Sequence, residues 1–191
     1  MRLFLAIPLP DAARDALAAA VARAEADEAS RGRDPLARWV RPDNLHVTLR
    51  FLGDVDEPMA RAIAADLLRL PRPGVIELHA DGPLFFPPRG SVRVIAAGLG
   101  GDVDRVGQLH AGIAAVCDAY PVERDDRPYR PHVTLGRARR GVSIDRRRAA
   151  GLPGIADLPR VAFAAAEFVL YESRLLPGGP AYAAVERFPV A

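Results

Sequence analysis

The chain has 191 residues, of which 50% are hydrophobic, and its 26 Lys+Arg against 24 Asp+Glu give a formal net charge of +2. This composition excludes a disordered or collagen-like chain and gives no argument for non-specific binding to nucleic acid. The single cysteine, Cys117, excludes an internal disulfide, and no apolar run is long enough for a secretory signal or a membrane span, so we expect a cytoplasmic protein.

The first part of the chain predicts three strands and two helices. Residues 2–7 read as a strand that stops at a proline, and the Ala-rich stretch 11–28 reads as a helix. Two short strands are predicted at 37–40 and 45–51, on either side of a Pro-Asp-Asn turn. The apolar residues of 57–70 recur at near-helical spacing, which predicts the second helix.

The remainder predicts one amphipathic helix among five strands. The helix covers 103–120, where apolar residues repeat at three and four positions. The strands are predicted at about 75–80, 92–97, 131–135, 160–171 and 182–188. The order strand, helix, strand, strand, helix occurs on each side of residue 72, and no segment resembles an interdomain linker. These features predict an α+β architecture with a duplicated two-lobe plan, within a single domain over 1–191.

One tetrapeptide, His-Val-Thr-Leu, occurs twice, at His46 to Leu49 and at His132 to Leu135. These repeats contain both of the chain's threonines and two of its four histidines. In a strand, residues i and i+2 face the same side, so His46 projects beside Thr48 and His132 beside Thr134. Two such strands across a cleft would present two imidazoles and two hydroxyls to one ligand.

Such a site suits a phosphodiester. One imidazole can remove a proton from the attacking oxygen while the other protonates the leaving oxygen, because the ordinary pKa of histidine lies near neutrality. The hydroxyls can hold the non-bridging phosphate oxygens. Two alternatives are weaker: a pair of solvent-facing strands, and a zinc site, which would want three or four ligands rather than two histidines and two threonines. We therefore expect no metal and no cofactor.

The residues around the two motifs resemble a known family. The segments that carry the likeness are Met1 to Ile7, Trp39 to Gly53, Tyr129 to Arg137 and Leu170 to Pro180. They are similar to the bacterial and archaeal RNA 2′,3′-cyclic phosphodiesterases, also called 2′-5′ RNA ligase-like proteins, of the two-histidine phosphoesterase superfamily. The likeness spans essentially the whole chain.

The resemblance implies a bilobal, pseudo-symmetric fold in which two antiparallel sheets face a central cleft and helices lie outside. It also implies metal-independent hydrolysis of an RNA-terminal 2′,3′-cyclic phosphate to a 2′-phosphomonoester. We expect the partner to be an RNA or oligonucleotide with such an end, tRNA fragments among them, and the protein to be a monomer that does not bind membranes. His46 matches the proton donor and His132 the proton acceptor, while Thr48 and Thr134 match the phosphate-binding residues. The identical motifs themselves do not distinguish the two histidine roles.

Two other functions are open at this stage. The same site can join RNA ends through a 2′-5′ bond in the reverse direction, although dilute water favours hydrolysis. The second alternative function is a non-catalytic module that binds RNA ends. Binding alone, however, does not require two titrating groups.

Several further residues carry weaker expectations. Ile95 stands where relatives often have an aromatic residue, which puts nucleobase stacking there in doubt. Arg130 is either a phosphate partner or a solvated loop residue, and the arginine-rich stretch Arg137 to Arg148 is either an RNA contact or, as we favour, a mobile basic loop. We expect structural roles for four aromatic side chains, with the last two in the core: His79, His110, Trp39 and Phe51.

Overall fold

The structure, a computed structural model, describes residues 1–32, 34–124, 127–139, 141–177 and 179–191. The strands of these residues are β1 (Arg2–Pro8), β2 (Ala37–Trp39), β3 (His46–Asp54), β4 (Ile76–Phe86), β5 (Val94–Gly101), β6 (His132–Ala138), β7 (Ala162–Ala165), β8 (Glu167–Leu176) and β9 (Gly179–Pro189). The helices are α1 (Asp11–Ser30), α2 (Glu57–Leu67), α3 (Val103–Cys117) and α4 (Arg146–Ala150), and a single 3-10 turn covers Pro42–Asn44.

Every predicted strand and helix is present, but β4 continues to Phe86, six residues past its predicted end, and there are two further differences. The predicted strand 160–171 is two strands, β7 and β8, which lie far apart in the sheet. The predicted basic loop contains the short helix α4, which begins where the Asp145 carboxylate accepts a hydrogen bond from the Arg148 amide at 2.8 Å. Five residues are too few to show helical periodicity in a sequence, so only the Asp145 cap could have indicated this helix.

The strands form a curled antiparallel sheet in the order β7-β4-β5-β6-β3-β1-β8-β9, with β2 paired to β6. Two four-stranded halves can be recognised, which correspond to the two sheets that were predicted. They meet where β3 pairs with β6 at a single position, Val47 opposite Val133. Each half brings one His-Val-Thr-Leu motif to this junction, so the α+β fold with duplicated halves is confirmed.

Both motif strands carry a β-bulge at the last residue of the tetrapeptide. In β3, Thr48 pairs with Ala6 and Arg50 with Leu5, so Leu49 is an extra residue. In β6, Thr134 pairs with Ala96 and Gly136 with Ile95, so Leu135 is the extra residue. A bulge reverses the alternation of side chains beyond it. As a result, residues 50 and 136 point into the core, whereas Phe51 and Arg137 face the same side as the histidines.

The helices cover the opposite face of the sheet. The Ala-rich helix α1 buries Ala13, Leu17, Val21 and Ala24, which are spaced at three and four residues. Helices α2 and α3 bury equivalent stripes, and all three contribute to one core with the inward residues of the strands. Among the described residues, none of the helices is both long and apolar enough to cross a bilayer.

Candidate active site

The pairing of β3 with β6 brings the two motifs together. Because Val47 lies opposite Val133 in antiparallel strands, continuing this register sets His46 across from Thr134 and Thr48 across from His132. The four side chains therefore occupy the corners of a square, with the histidines on one diagonal. In a regular sheet such diagonal neighbours have Cα atoms about 7–8 Å apart, which leaves room for a phosphate between the rings.

The His46 ring is held on both nitrogens. Its Nδ1 lies 2.7 Å from the carbonyl oxygen of Asn44, and its Nε2 lies 3.0 Å from the Thr48 hydroxyl. A carbonyl only accepts, so Nδ1 carries a hydrogen and Nε2 is the atom left for proton transfer. The rings of Phe4 and Tyr182 pack against the imidazole with centroids 5.1 and 5.5 Å away. The ring is thus fixed in one orientation.

Asn44 is a residue that the sequence analysis missed. Its carbonyl orients His46, while its buried side-chain amide donates a hydrogen bond of 2.7 Å to the carbonyl of Pro180 in β9. This bond ties the 3-10 turn before β3 to the distant β8–β9 hairpin. Nothing in the local sequence indicates a partner 136 residues away.

The His132 ring has the same tautomer through an equivalent contact. Its Nδ1 donates to the carbonyl of Arg130 at 2.7 Å, which again leaves Nε2 for proton transfer. The ring packs on Phe86, with centroids 4.7 Å apart, and the Arg130 guanidinium lies 5.8 Å from the centroid of the same phenyl ring. Strand β6 begins only at His132, so Arg130 supports the imidazole from the preceding loop.

Burial and charge disfavour the protonated form of both imidazoles. Burial lowers the pKa of His46 from its ordinary value of 6.5 to about 4, and the charges of Arg137 and His132 act in the same direction. Burial also lowers the pKa of His132, again with a contribution from Arg137. The hydrogen bonds to Asn44 and Arg130 oppose these shifts. Both rings are neutral in the unliganded protein at pH 7.

A cavity of about 260 Å³ opens beside the motifs. Thr48 and His132 line it, together with Phe51, Phe86 and Arg137. His110 and Tyr129 form the far wall, where their rings stack in parallel with centroids 3.8 Å apart. The Tyr129 hydroxyl donates to the carbonyl of Thr48 at 3.0 Å, so the wall is attached to the first motif. His110 was predicted only to border the apolar face of a helix, but it also lines the cavity.

Phe51 and Arg137 reach the cavity because of the two bulges. Each is the fifth residue after its motif histidine, and strict alternation would have placed it on the core side. Phe51 is 49% exposed, so its prediction as a core residue is wrong. At Gly136, which points inward instead, a Cβ would lie only 2.8 Å from the Trp39 ring. Arg137 was predicted only as the start of a basic stretch, but it is an element of the site.

An ion pair between a buried arginine and an exposed aspartate secures the segment that follows α3. Arg50 on β3 is 4% exposed, and its Nη2 donates to the Asp118 carboxylate at 2.6 Å and to the Glu123 carbonyl at 3.0 Å. Asp118 follows α3, so the contact joins the two halves of the sheet. A buried charge that loses its partner destabilises the fold, and here the buried charge is the Arg50 guanidinium. The pair thus fixes the start of the segment that ends at Tyr129 and Arg130.

The remaining predicted residues lie as follows. Ile95 is completely buried and does not reach the cavity. Of the arginine-rich stretch, Arg140 lies outside the described residues, whereas Arg146 is fixed by the Pro87 carbonyl at 2.7 Å. The stretch is therefore not a single loop. His79 lies away from the cavity and accepts a hydrogen bond from Arg160 at 2.9 Å. The described residues contain no group of three or more His, Cys, Asp or Glu that could hold a metal ion.

Comparison with known proteins agrees with this architecture. Residues 8–175 match the 2′-5′ RNA ligase superfamily. A protein of Thermus thermophilus named RNA 2′,3′-cyclic phosphodiesterase is 33% identical over 201 aligned positions, which cover 98% of this chain and 89% of the relative. A protein of the same name from Methanothermobacter thermautotrophicus is 30% identical and is covered to 98%. The crystal structure of E. coli LigT in complex with 3′-AMP superposes with a TM-score of 0.72 at 27% identity, covering 98% of this chain and 97% of that one.

The curled antiparallel sheet with paired His-x-Thr motifs at its junction defines a phosphoesterase fold of the LigT type. The chain belongs to the 2′-5′ RNA ligase superfamily. The family predicted from the sequence is thereby confirmed, and the similarity to curated enzymes over nearly the whole chain supports an enzymatic role.

Proposed function

We propose that this protein hydrolyses the 2′,3′-cyclic phosphate at the end of an RNA to a 2′-phosphomonoester. The observation that carries the proposal is the pair of imidazoles at one strand junction, each donating Nδ1–H to a backbone carbonyl and leaving Nε2 for proton transfer. The relatives named RNA 2′,3′-cyclic phosphodiesterase support the substrate class.

In the proposed step, neutral His132 takes a proton from a water molecule whose oxygen forms a bond to phosphorus. The bond between phosphorus and O3′ breaks, and protonated His46 gives its proton to O3′, which leaves as a hydroxyl. The phosphate stays on O2′. Exchange with solvent then removes the proton from His132. His46 is protonated again when the next phosphate anion binds and raises its pKa. The assignment of donor and acceptor follows the family resemblance.

Three groups are proposed to hold the phosphate. The hydroxyls of Thr48 and Thr134 lie beside the histidines of the opposite strand, and the Arg137 guanidinium lies close enough to lower the pKa values of both imidazoles. A cation at this position stabilises the charge that develops on the non-bridging oxygens. The phosphorus is thus held between the two Nε2 atoms.

The cavity offers two aromatic surfaces to the nucleoside. Phe51 is half exposed on one wall and Phe86 lies beside His132 on another. Unpaired bases stack readily on such rings. Ile95 made stacking of a nucleobase at its own position doubtful, so we propose that the base stacks on Phe51 or Phe86 instead. Because both halves of the sheet contribute, we propose that residues 1–191 act as one catalytic domain.

The direct test is phosphorus NMR of an oligoribonucleotide 2′,3′-cyclic phosphate incubated with chelator-treated protein. We expect conversion to the 2′-phosphomonoester at an unchanged rate after chelation. Binding without product would identify a non-catalytic module, and a 3′-phosphate product or a requirement for metal would contradict the mechanism. Assaying both hydrolysis and the joining of RNA ends on one tRNA-half substrate compares the two directions, and we expect the joining reaction to be slower.

The pKa shifts predict an acidic pH optimum. The value of kcat/KM falls at low pH as the acceptor gains a proton, and at high pH as the donor loses its proton. Because the pKa values of both free imidazoles lie below 6.5, we expect a bell-shaped profile with its maximum below pH 6.5. A bound phosphate anion raises both pKa values, so the optimum of kcat should lie at higher pH. A kcat/KM maximum above pH 7 would contradict these shifts.

A further inference from the structure

Two arginines lie directly opposite each other on the face of the sheet that carries the histidines. Strand β2 pairs with β6 so that Arg38 is the cross-strand partner of Arg137. The neighbouring pairs, Ala37 with Ala138 and Trp39 with Gly136, point to the core side, where the Trp39 ring covers Gly136. Arg38 therefore faces the same side of the sheet as Arg137 and is exposed. Like charges at directly opposite positions destabilise a sheet, so this pair calls for a compensating anion.

The protein itself does not supply that anion in the part of the chain that the structure describes. There, no carboxylate lies within 4.0 Å of the Arg38 or Arg137 guanidinium. Several other arginines of the described residues are, by contrast, paired with carboxylates. Those in ion pairs are Arg14, Arg23, Arg31, Arg50, Arg61, Arg69, Arg105, Arg148, Arg174 and Arg187. The cross-strand pair is thus left with uncompensated charge beside the catalytic strand.

The backbone that presents Arg38 is rigid. Ala37 is buried, and the Trp39 indole donates to the buried Glu28 carboxylate at 3.3 Å. Directly after β2, the Val40 amide donates to the Leu135 carbonyl at 2.8 Å. A cation held on a fixed backbone loses little entropy when it binds an anion. Arg38 is therefore set up for a ligand at one defined place.

We propose that Arg38 binds the phosphodiester group that lies immediately 5′ of the terminal cyclic phosphate, which makes an RNA end of two or more nucleotides the substrate class. The inference rests on the proposed function, in which Arg137 contacts the reacting phosphate. The Cβ atoms of directly opposite residues are about 5 Å apart, so the two guanidinium groups can serve successive phosphates of one strand. An arginine fork binds phosphate oxygens bidentately and without regard to base sequence.

The test compares two substrates, adenosine 2′,3′-cyclic phosphate and the dinucleotide ApA ending in a 2′,3′-cyclic phosphate. For the wild-type protein we expect kcat/KM to be at least about 10-fold higher for the dinucleotide. Arg38→Gln should lower this ratio about 10-fold, whereas Arg38→Lys should keep most of it. Arg61→Gln, on the outer helix α2, is the matched control and should leave the ratio at the wild-type value.

Salt dependence gives a second readout that a merely structural role would not change. With the dinucleotide, the slope of log kcat/KM against log salt should become shallower by about 0.7 in Arg38→Gln, because one phosphate contact is lost. The thermal midpoint should be unchanged or higher, since a like-charge pair has been removed.

The proposed function and the Arg38 subsite can be overturned separately. If the wild-type protein opens neither substrate, the proposed function is wrong and the phosphodiester subsite is lost with it. If it opens both equally well, or if Arg38→Gln lowers both values of kcat/KM by the same factor or changes neither, the subsite is overturned while the proposed function stands.

Discussion

Replacing either motif histidine by alanine is expected to lower the turnover of a 2′,3′-cyclic phosphate by about 10²- to 10⁴-fold, the usual contribution of one general acid or base. His46→Ala removes the proposed proton donor, and His132→Ala removes the proposed acceptor. Each ring is only half-buried, so the fold should survive both substitutions. Steady-state rates together with circular dichroism measure the two effects.

The two roles can be separated by the leaving group. A nitrophenyl phosphodiester releases an anion that needs no protonation, so His46→Ala should recover most of its activity on such a substrate. His132→Ala should remain impaired, because the attacking water still requires a base. Recovery in His132→Ala instead would show that the roles are exchanged.

A third histidine provides the matched control. His79 is half-buried, lies outside the cavity and accepts a hydrogen bond from Arg160. His79→Ala should leave turnover within about twofold of the wild-type value, since it removes no group near the phosphate. If His46→Ala and His132→Ala were equally mild, the two motifs would not be the catalytic site.

Arg137→Gln is expected to lower kcat/KM by about 10²-fold, because one donor to a developing oxyanion contributes on this scale. The kcat/KM of Arg137→Lys should lie between those of the wild type and Arg137→Gln, since lysine keeps the charge but loses the planar fork. Arg147→Gln is the control. Arg147 is exposed on α4 and does not line the cavity, so the kcat/KM of this variant should match that of the wild type.

A pH profile distinguishes this electrostatic role from a structural one. Arg137 lowers the pKa values of His46 and His132, so its removal should raise both. The optimum of kcat/KM should then move to higher pH in Arg137→Gln and stay in place in Arg137→Lys. An unchanged optimum in the glutamine variant would show that the guanidinium does not face the imidazoles.

Prediction of the fold succeeded where the signal was local. The Ala-rich run of α1, the apolar spacing of α3 and the prolines between segments identified the elements to within a few residues. The strand at 160–171 was wrong as a single element, because the break at Ala166 has no turn residue to mark it. Whether β7 and β8 join the same part of the sheet depends on pairing with β4 and β1, which are distant in sequence.

The sequence was enough to group the residues of the repeated motif into a candidate site, but it missed those that depend on bulges or on distant carbonyls. Alternation in a strand is enough to group His46 with Thr48. Arg137 and Phe51 were misjudged because an extra residue in each strand reverses that alternation. A bulge is stabilised by pairing with a neighbouring strand, so it leaves no mark in the strand's own composition.

The sequence by itself determined the composition of the site, two imidazoles each two residues before a hydroxyl, because a repeated motif and its strand geometry are local properties. The tertiary structure decided how the two motifs meet, at Val47 opposite Val133, and which cations join them there. Those facts are set by long-range strand register, and register depends on the packing of the whole sheet rather than on any one segment.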